Sequence, residues 1–270
     1  MGIKKIFNLH FTDKCNFHCN FCYVKKENKE LALADIKIIV DKISNYFQKN
    51  AVTDGRINIA GGEPTTCEYL QEIIDYIVNH NIKASLITNG SLLTEKFVCA
   101  NKNKLTMIGI SIDSIKAETN RMLGRYCGND VFDNKRLVNI CNCIKENGIT
   151  LKINVVVSKI NQNEDIRQLL HEVNPDRFKI LQMLPTNQLA EKNTISDSEF
   201  ELYLKKYSDF KYVSEKITNI RNAYVIIDSQ GYLTTENQHN DLRFNVLKDD
   251  LFEIIDKIDF NEENEALRYK

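Results

Sequence analysis

The sequence has little glycine, less proline and almost no net charge. Ten glycines and three prolines among 270 residues exclude a loop-dominated chain and imply helices and strands joined by short connections. A formal net charge of −1 leaves no basic nucleic-acid footprint over the chain as a whole. The strongest apolar run, about residues 153–157, is far short of the roughly 20 residues that a spanning helix needs. A signal peptide is not expected, because MGIKKIF runs at once into polar, cysteine-rich sequence. Gly2 invites myristoylation, but Ile6 stands where serine or threonine is required. A cytoplasmic protein with no membrane and no nucleic-acid partner is therefore expected, with the Asn89-Gly90-Ser91 sequon idle.

What is present is enough apolar sequence for a sizeable core: 43% hydrophobic against 27% charged, within the length of one α/β barrel. Apolar segments recur at regular intervals, each followed by a helical pattern. Strands are expected at 5–11, 56–60, 83–88, 106–112, 150–158 and 177–184. Helices are expected at 33–48, 68–79, 94–101, 134–147 and 164–172, the first with an apolar stripe of Ile36, Ile38, Ile39, Ile43 and Phe47. Six strand–helix units imply a parallel sheet with right-handed crossovers, two units short of a closed barrel. The fold class is α/β, a partial (βα)6 TIM-like barrel over residues 1–185. A C-terminal extension, 186–270, closes it and contributes to its site. Within the extension a helix at 197–207, N-capped by Ser196, precedes a hairpin of strands 224–227 and 232–235 turning at Asp228-Ser-Gln-Gly231. An amphipathic stretch at 247–258 ends the pattern.

Eight cysteines are present, and three stand together in Cys15-Asn-Phe-His-Cys19-Asn-Phe-Cys22. In a reducing compartment they are not expected as disulfides. Cys67, Cys99, Cys141 and Cys143 read as small buried hydrophobes. For the triplet three readings stand. A closed zinc site wants a fourth ligand, for which His10 or His18 could serve. A redox pair of Cys19 and Cys22 leaves Cys15 without a role. A [4Fe–4S] cluster on three thiolates leaves one iron open, and an open iron is a place for chemistry.

Splitting each strand by side-chain alternation gives one apolar face: Phe7, Leu9, Phe11, Ile57, Ile59, Leu86, Ile108, Ile110, Ile112, Leu151, Ile153, Val155, Phe178 and Ile180. The other is polar: Asn8, His10, Arg56, Asn58, Ala60, Ser85, Asn89, Gly109, Ser111, Asp113, Lys152, Asn154, Arg177 and Lys179. The apolar face must meet the helices, so the polar face lines the barrel interior. A buried, unpaired ion costs several kcal/mol, on the order of 3–5, which is tolerable only if the interior is a wet ligand cavity. Arg56, Lys152, Arg177 and Lys179 share that face with few acids, and a polyphosphate is their natural partner. The bland alternative is that one or two reach solvent at strand ends, Arg177 first. No Walker A or GxGxxG motif occurs, so a nucleotide would be gripped by side chains. The Gly124-Arg125-Tyr126-Cys127-Gly128 segment reads equally as a plain surface loop or as one more phosphate contact.

Cys15-x3-Cys19-x2-Cys22 after the first strand, with Phe21 before the last cysteine, resembles the signature of radical S-adenosylmethionine (SAM) enzymes. Gly61-Gly62-Glu63-Pro64 after the second strand resembles that family's GGE motif. More of the chain resembles the viperin family: Asn-Leu-His-Phe-Thr at 8–12, Ile-Thr-Asn-Gly-Ser at 87–91, Ile-Ser-Ile-Asp-Ser at 110–114, Leu-Gly-Arg at 123–125, Leu-Lys-Ile-Asn at 151–154, and Asn-Pro-Asp-Arg-Phe-Lys at 174–179 with Gln182. The resemblance implies a [4Fe–4S] cluster and SAM as cofactors. It implies a 5′-deoxyadenosyl radical that takes the C4′ hydrogen of a nucleoside triphosphate, whose 3′-hydroxyl leaves as water. The product is a chain-terminating antiviral nucleotide.

Carried over residue by residue, Cys15, Cys19 and Cys22 hold the cluster. Phe21, Gly61, Gly62, Glu63, Asn89 and Ser111 contact SAM. Asn8, Arg56, Arg125, Lys152, Asn154, Arg177 and Lys179 hold the nucleotide, and Lys152 is the catalytic proton donor or relay. The departures are Arg56 where lysine is common, Ala60 where serine is common, and a late family tyrosine matched by neither Tyr232 nor Gln230 cleanly. Animal viperins carry an N-terminal membrane helix, whereas here the first strand comes at once, so a prokaryotic-type, monomeric member served by a flavodoxin or ferredoxin is expected. The base (CTP, UTP or GTP) is not legible. The alternatives are a different radical SAM enzyme, acting on a peptide or another small molecule, and a non-catalytic metal-binding module. No cysteine follows Cys143 to supply the second cluster usual in peptide modifiers.

Overall fold

The computed structural model describes residues 5–128, 133–220, 222–235, 244–258, 260–261 and 263–264; the myristoylation position Gly2 lies outside them. The barrel half runs β1 (Ile6–Thr12), α1 (Leu33–Lys49), β2 (Arg56–Gly61), α2 (Leu70–Asn79), β3 (Lys83–Thr88), α3 (Glu95–Ala100), β4 (Leu105–Ser111), α4 (Ala117–Met122), α5 (Asn134–Glu146), β5 (Thr150–Val157), α6 (Arg167–Val173) and β6 (Arg177–Gln182). It continues through α7 (Gln188–Asn193), α8 (Asp197–Lys205), β7 (Tyr212–Glu215), α9 (Ile217–Ile220), β8 (Ile226–Ile227), β9 (Tyr232–Thr234), β10 (Phe244–Asn245) and α10 (Leu251–Lys257). Among the described residues no helix is long and apolar enough to cross a membrane.

One ten-stranded sheet orders these as β10-β9-β8-β1-β2-β3-β4-β5-β6-β7. From β1 to β7 every neighbour pair is parallel, β8 also joins β1 parallel, and only the β8–β9 and β9–β10 pairs are antiparallel. The architecture is the partial TIM-like barrel that six βα units imply. Two differences from the sequence reading matter. A seventh parallel strand, β7, extends the sheet beyond β6; its four residues are too few, and too polar at Ser214, to announce a strand by alternation. The amphipathic stretch at 247–258 is helical only over α10.

The apolar strand face packs under the helices as expected: Phe7, Leu9, Ile57, Ile59, Ile108, Ile110, Leu151, Ile153 and Ile180 are fully buried. Each such side chain contributes about 1.5–3 kcal/mol by leaving water. In α1, Ile36, Ile39, Val40, Ile43 and Phe47 are buried, but Ile38 is 43% exposed. Two residues from Ile36 is more than half a helical turn, which carries Ile38 off the apolar stripe. Ser196 closes a capping box with Glu199 at the start of α8, and Thr94 caps α3. Cys67, Cys141 and Cys143 are buried, whereas Cys99 is exposed on α3, a correction to its reading as core.

Candidate active site

The parallel strands all end on one rim, where a barrel of this kind gathers its functional loops. The loop after β1 carries Cys15, Cys19 and Cys22, and it is pinned from three sides. Gly62 N–H donates to Thr12 O at 2.7 Å and Glu63 N–H to Lys14 O at 2.8 Å. His18 N–H donates to Gly124 O and Asn20 N–H to Leu123 O, each at 3.0 Å. The Asn187 side chain donates to Asn20 O at 3.0 Å. The Gly61-Gly62 pair is required by this close approach: a Cβ on Gly62 would stand 2.1 Å from Lys14 O. The same holds at Gly124, where φ is +76° and a Cβ would stand 2.2 Å from His18 O. Gly124 is thus part of a backing strip for the cysteine loop and not of an open surface loop, while Arg125 beside it lines the cavity described below.

Glu63 is fully buried and collects Thr65 N–H (3.1 Å), Thr65 Oγ1 (2.5 Å), Thr88 Oγ1 (2.6 Å) and Asn89 N–H (2.6 Å). Burial pushes its carboxyl above the ordinary value, against these four bonds, which favour the anion. Asn89 donates to Asn16 Oδ1 at 2.9 Å, so β2 and β3 together buttress the cysteine loop.

Inside the barrel lies a cavity of about 300 Å³, the size of a small-molecule site. Asn8, His10, Arg56, Asn58, Ala60, Ser111, Asp113, Lys152, Asn154, Arg177 and Lys179 of the polar face line it, with Cys19, Phe21, Cys22 and Arg125. Arg177, which could have reached solvent at a strand end, stands on this wall half-buried. Gly61, Gly62, Glu63, Asn89 and Cys15 do not line the cavity; they sit in or behind the cysteine loop. Ser85 is buried below the cavity, donating to Asn58 Oδ1, while Asn58 donates to Asn8 Oδ1 (2.9 Å) and Asn8 to Val225 O (3.0 Å).

Few acids stand on this face, as expected, with Asp113 the acid among the cavity's lining residues; two of the cavity's cations nonetheless have a carboxylate partner. Arg125 Nη1 lies 3.0 Å from Asp113 Oδ2, both side chains over 90% buried. Arg125 also donates to Ser111 O at 2.5 Å and lies 4.0 Å from Cys19 Sγ. Burial raises the Asp113 carboxyl, with Arg125 opposing. Lys179 Nζ lies 2.5 Å from Glu215 Oε1 and donates to the Tyr224 hydroxyl at 2.6 Å. By contrast Arg56 Nε is buried without a hydrogen-bond partner among the described residues. Glu215 and Tyr224 are the residues sequence reasoning missed. Glu215 ends the unanticipated β7, and Tyr224 lines the cavity, whereas neither Tyr232 nor Gln230 is among its lining residues. The place of Tyr224 at the start of the hairpin segment was the only available signal.

His10 lines the cavity with its ring 5.9 Å from that of Tyr23, and burial pushes its imidazole from 6.5 down to about 4. Between those values the unfolded chain binds the extra proton, so stability rises with pH through this window and falls on acidification. The full effect is about 3 kcal/mol. In His10→Gln the gain in unfolding free energy from about pH 4.5 to about pH 7 should shrink by roughly 2–3 kcal/mol. Denaturant titrations of both proteins at the two pH values check this, and equal gains would rule it out.

The model of the Radical SAM superfamily matches residues 9–173, more than half of the chain. The chain belongs to the radical SAM superfamily. It is 32% identical over 238 residues to an S-adenosylmethionine-dependent nucleotide dehydratase of Flammeovirga pacifica, covering 83% of this chain and 80% of the relative. It is 28% identical to a protein of the same description from Psychrobacter lutiphocae, covering 98% and 94%. It is therefore a member of the nucleotide dehydratase family of radical SAM proteins. Among solved structures it resembles Streptococcus suis SuiB bound to S-adenosylmethionine, with TM-score 0.73 at 15% identity over 97% of this chain and 67% of that one. It also resembles anSMEcpe with bound AdoMet, with TM-score 0.71 at 17% identity over 98% and 83%. Those two likenesses concern the fold.

The superfamily's cofactors are a [4Fe–4S] cluster and SAM, and the residues present fit them. Each of the three thiols is pushed up by burial and feels the charge of at least one of the other two, so the sulfurs share one region. The charge of Lys26 acts on all three in the opposite sense, and that of Arg125 on Cys19 and Cys22, favouring thiolates. Among the described residues no three His, Cys, Asp or Glu side chains close around a single ion. A three-thiolate donor set leaves one iron of a cube open, which suits the superfamily's cluster.

Proposed function

We propose that this chain dehydrates a ribonucleoside triphosphate (CTP, UTP or GTP) to its 3′-deoxy-3′,4′-didehydro form. The observation that carries the reading is the layering of the cavity. Across β5 and β6, Lys152 pairs with Arg177 and, one pleat further toward the cysteine loop, Asn154 pairs with Lys179. Arg56 on β2, with its unpartnered Nε, is a further cation lining the same cavity. A triphosphate on Arg56, Lys152 and Arg177 puts its ribose at the Asn154–Lys179 level, below the cysteine loop. Asn8 and Asn154 are amide donors for the sugar and phosphates, while Arg125, already held by Asp113, serves the cysteine loop more than the nucleotide.

Cys15, Cys19 and Cys22 would hold the cluster, with Phe21 and Ser111 beside SAM; bound there, these cofactors supply the radical that removes a hydrogen atom from the substrate. Gly61, Gly62, Glu63 and Asn89 act by fixing the loop that carries the thiols. Lys152, the residue that family resemblance suggests for proton transfer, stands beside Arg177 at the phosphate level of this arrangement. Residues 186–270 complete the chamber through Val213, Ile220 and Tyr224 on its wall. A flavodoxin- or ferredoxin-class protein is the electron source.

Anaerobic incubation of the reconstituted, reduced protein with SAM and each nucleotide tests the reading. With the right nucleotide, 5′-deoxyadenosine and a product lighter by one water should form together. No such product from any of the three would reject it.

A further inference from the structure

Three side chains from separate parts of the chain form a closed ring on one wall of the cavity. Lys179 Nζ lies 2.5 Å from Glu215 Oε1 and donates to the Tyr224 hydroxyl at 2.6 Å. That hydroxyl donates to Glu215 Oε2 at 2.6 Å. Ammonium, phenol and carboxylate each touch the other two. Lys179 and Glu215 are buried, and Lys179 and Tyr224 face the cavity.

Two observations say what such a ring is for. The first is its level. Lys179 stands two residues beyond Arg177 along β6, opposite Asn154, which is about 6–7 Å closer to the cysteine loop. A nucleotide whose phosphates reach the Lys152–Arg177 level therefore presents its sugar to Lys179. The second is its charge. The carboxylate against the Lys179 ammonium cancels most of the attraction that a phosphate would feel. What the ring retains is a mobile proton with a built-in path for its replacement, the pattern expected of general acid catalysis.

Resting on the function proposed above, we infer that the Lys179–Glu215–Tyr224 ring, and not Lys152, delivers the proton on which the 3′-hydroxyl departs. Once C4′ has lost its hydrogen atom, a proton passes from Lys179 Nζ to the 3′ oxygen. The C3′–O bond breaks, its electron pair leaves with the oxygen, and water forms. The sugar is then a radical cation. One electron from a low-potential protein donor of the flavodoxin or ferredoxin class reduces it and completes the C3′–C4′ double bond. Lys179 regains its proton from the Tyr224 hydroxyl, which is resupplied from solvent, with Glu215 holding both groups in place. Lys179 is the catalytic residue of this step and Glu215 its positioning residue.

The test compares the native protein with Lys179→Arg, Tyr224→Phe and Glu215→Gln, each reconstituted and matched for iron content and circular dichroism. Nucleotide affinity is measured calorimetrically, and turnover is followed with 4′-deuterated nucleotide. Arginine keeps the cation but holds its proton too tightly to give it up. Lys179→Arg should therefore bind within about threefold of the native protein, because a charged donor remains. It should still move deuterium into 5′-deoxyadenosine, yet form at least about tenfold less dehydrated product per 5′-deoxyadenosine. Tyr224→Phe and Glu215→Gln should lower the same ratio and shift its pH profile. A native ratio in Lys179→Arg, or a loss of affinity with deuterium transfer and product falling in parallel, would overturn the assignment and make Lys179 a phosphate ligand. If Lys179→Arg does not fold, an unchanged ratio and pH profile in Tyr224→Phe overturn it equally. If the native protein forms no nucleotide-dependent 5′-deoxyadenosine, the proposed function itself falls, and the ring's role with it.

Discussion

Cys19→Ala should yield a protein that binds no complete iron–sulfur cluster and cleaves no SAM above background. On the function proposed above, the three thiols of the loop are the protein donors of the cube, with the fourth iron left open for the cofactor. Cys19 also stands on the cavity wall beside Arg125, as Cys22 does, so its loss removes a thiol that faces the substrate chamber. The matched control is Cys141→Ala. That thiol is buried in α5, with burial alone pushing it up to about 12, so it is inert. Its truncation should cost about 1 kcal/mol of stability, the price of one small core group, with iron content unchanged. Iron and sulfide assays with 5′-deoxyadenosine quantification check both. Native iron content in Cys19→Ala would contradict the ligand set.

Arg125→Leu should destabilise the fold by about 3–5 kcal/mol, among the largest single losses available in this chain. The guanidinium and the Asp113 carboxylate are buried together at 3.0 Å. Removing one partner leaves the other charge in a dry site. Asp113 cannot turn to solvent, because its Oδ1 accepts Val156 N–H at 2.7 Å and so is built into β5. The guanidinium also holds Ser111 O at 2.5 Å and lies over the Phe17 ring at 5.6 Å, so the cysteine loop loosens as well. The paired change Arg125→Leu with Asp113→Leu should recover part of the loss, since no buried charge is then left alone. Denaturant midpoints of the single and double variants measure both effects. A single variant as stable as the native protein would show that the pair is not a structural unit.

The strands were legible because their two faces differ so sharply. Phe7, Leu9, Ile57 and Ile59 alternate with Asn8, Arg56 and Asn58, and the pleat sends those two sets to opposite sides whatever the rest of the chain does. The cysteine loop was legible because spacing is local. What was not legible depends on contacts between distant segments. Gly61, Gly62, Glu63 and Asn89 resemble cofactor contacts in sequence, and only the structure shows that their backbone amides and side chains also brace the cysteine loop. Arg125 resembles a phosphate ligand, and only the structure shows that it is paired with Asp113. No pattern within residues 124–128 could reveal a partner on another segment.

By itself the amino-acid sequence determined the parallel βα architecture, the metal-binding loop and the cationic lining of the interior, because periodicity and spacing act over a few residues. Only the tertiary structure decided which of those cations carry a carboxylate partner. Glu215 meets Lys179 across 36 residues of chain, through a strand that becomes a strand only by pairing with β6. Charge compensation is a matter of a few ångströms in space, and distance along the chain does not encode it.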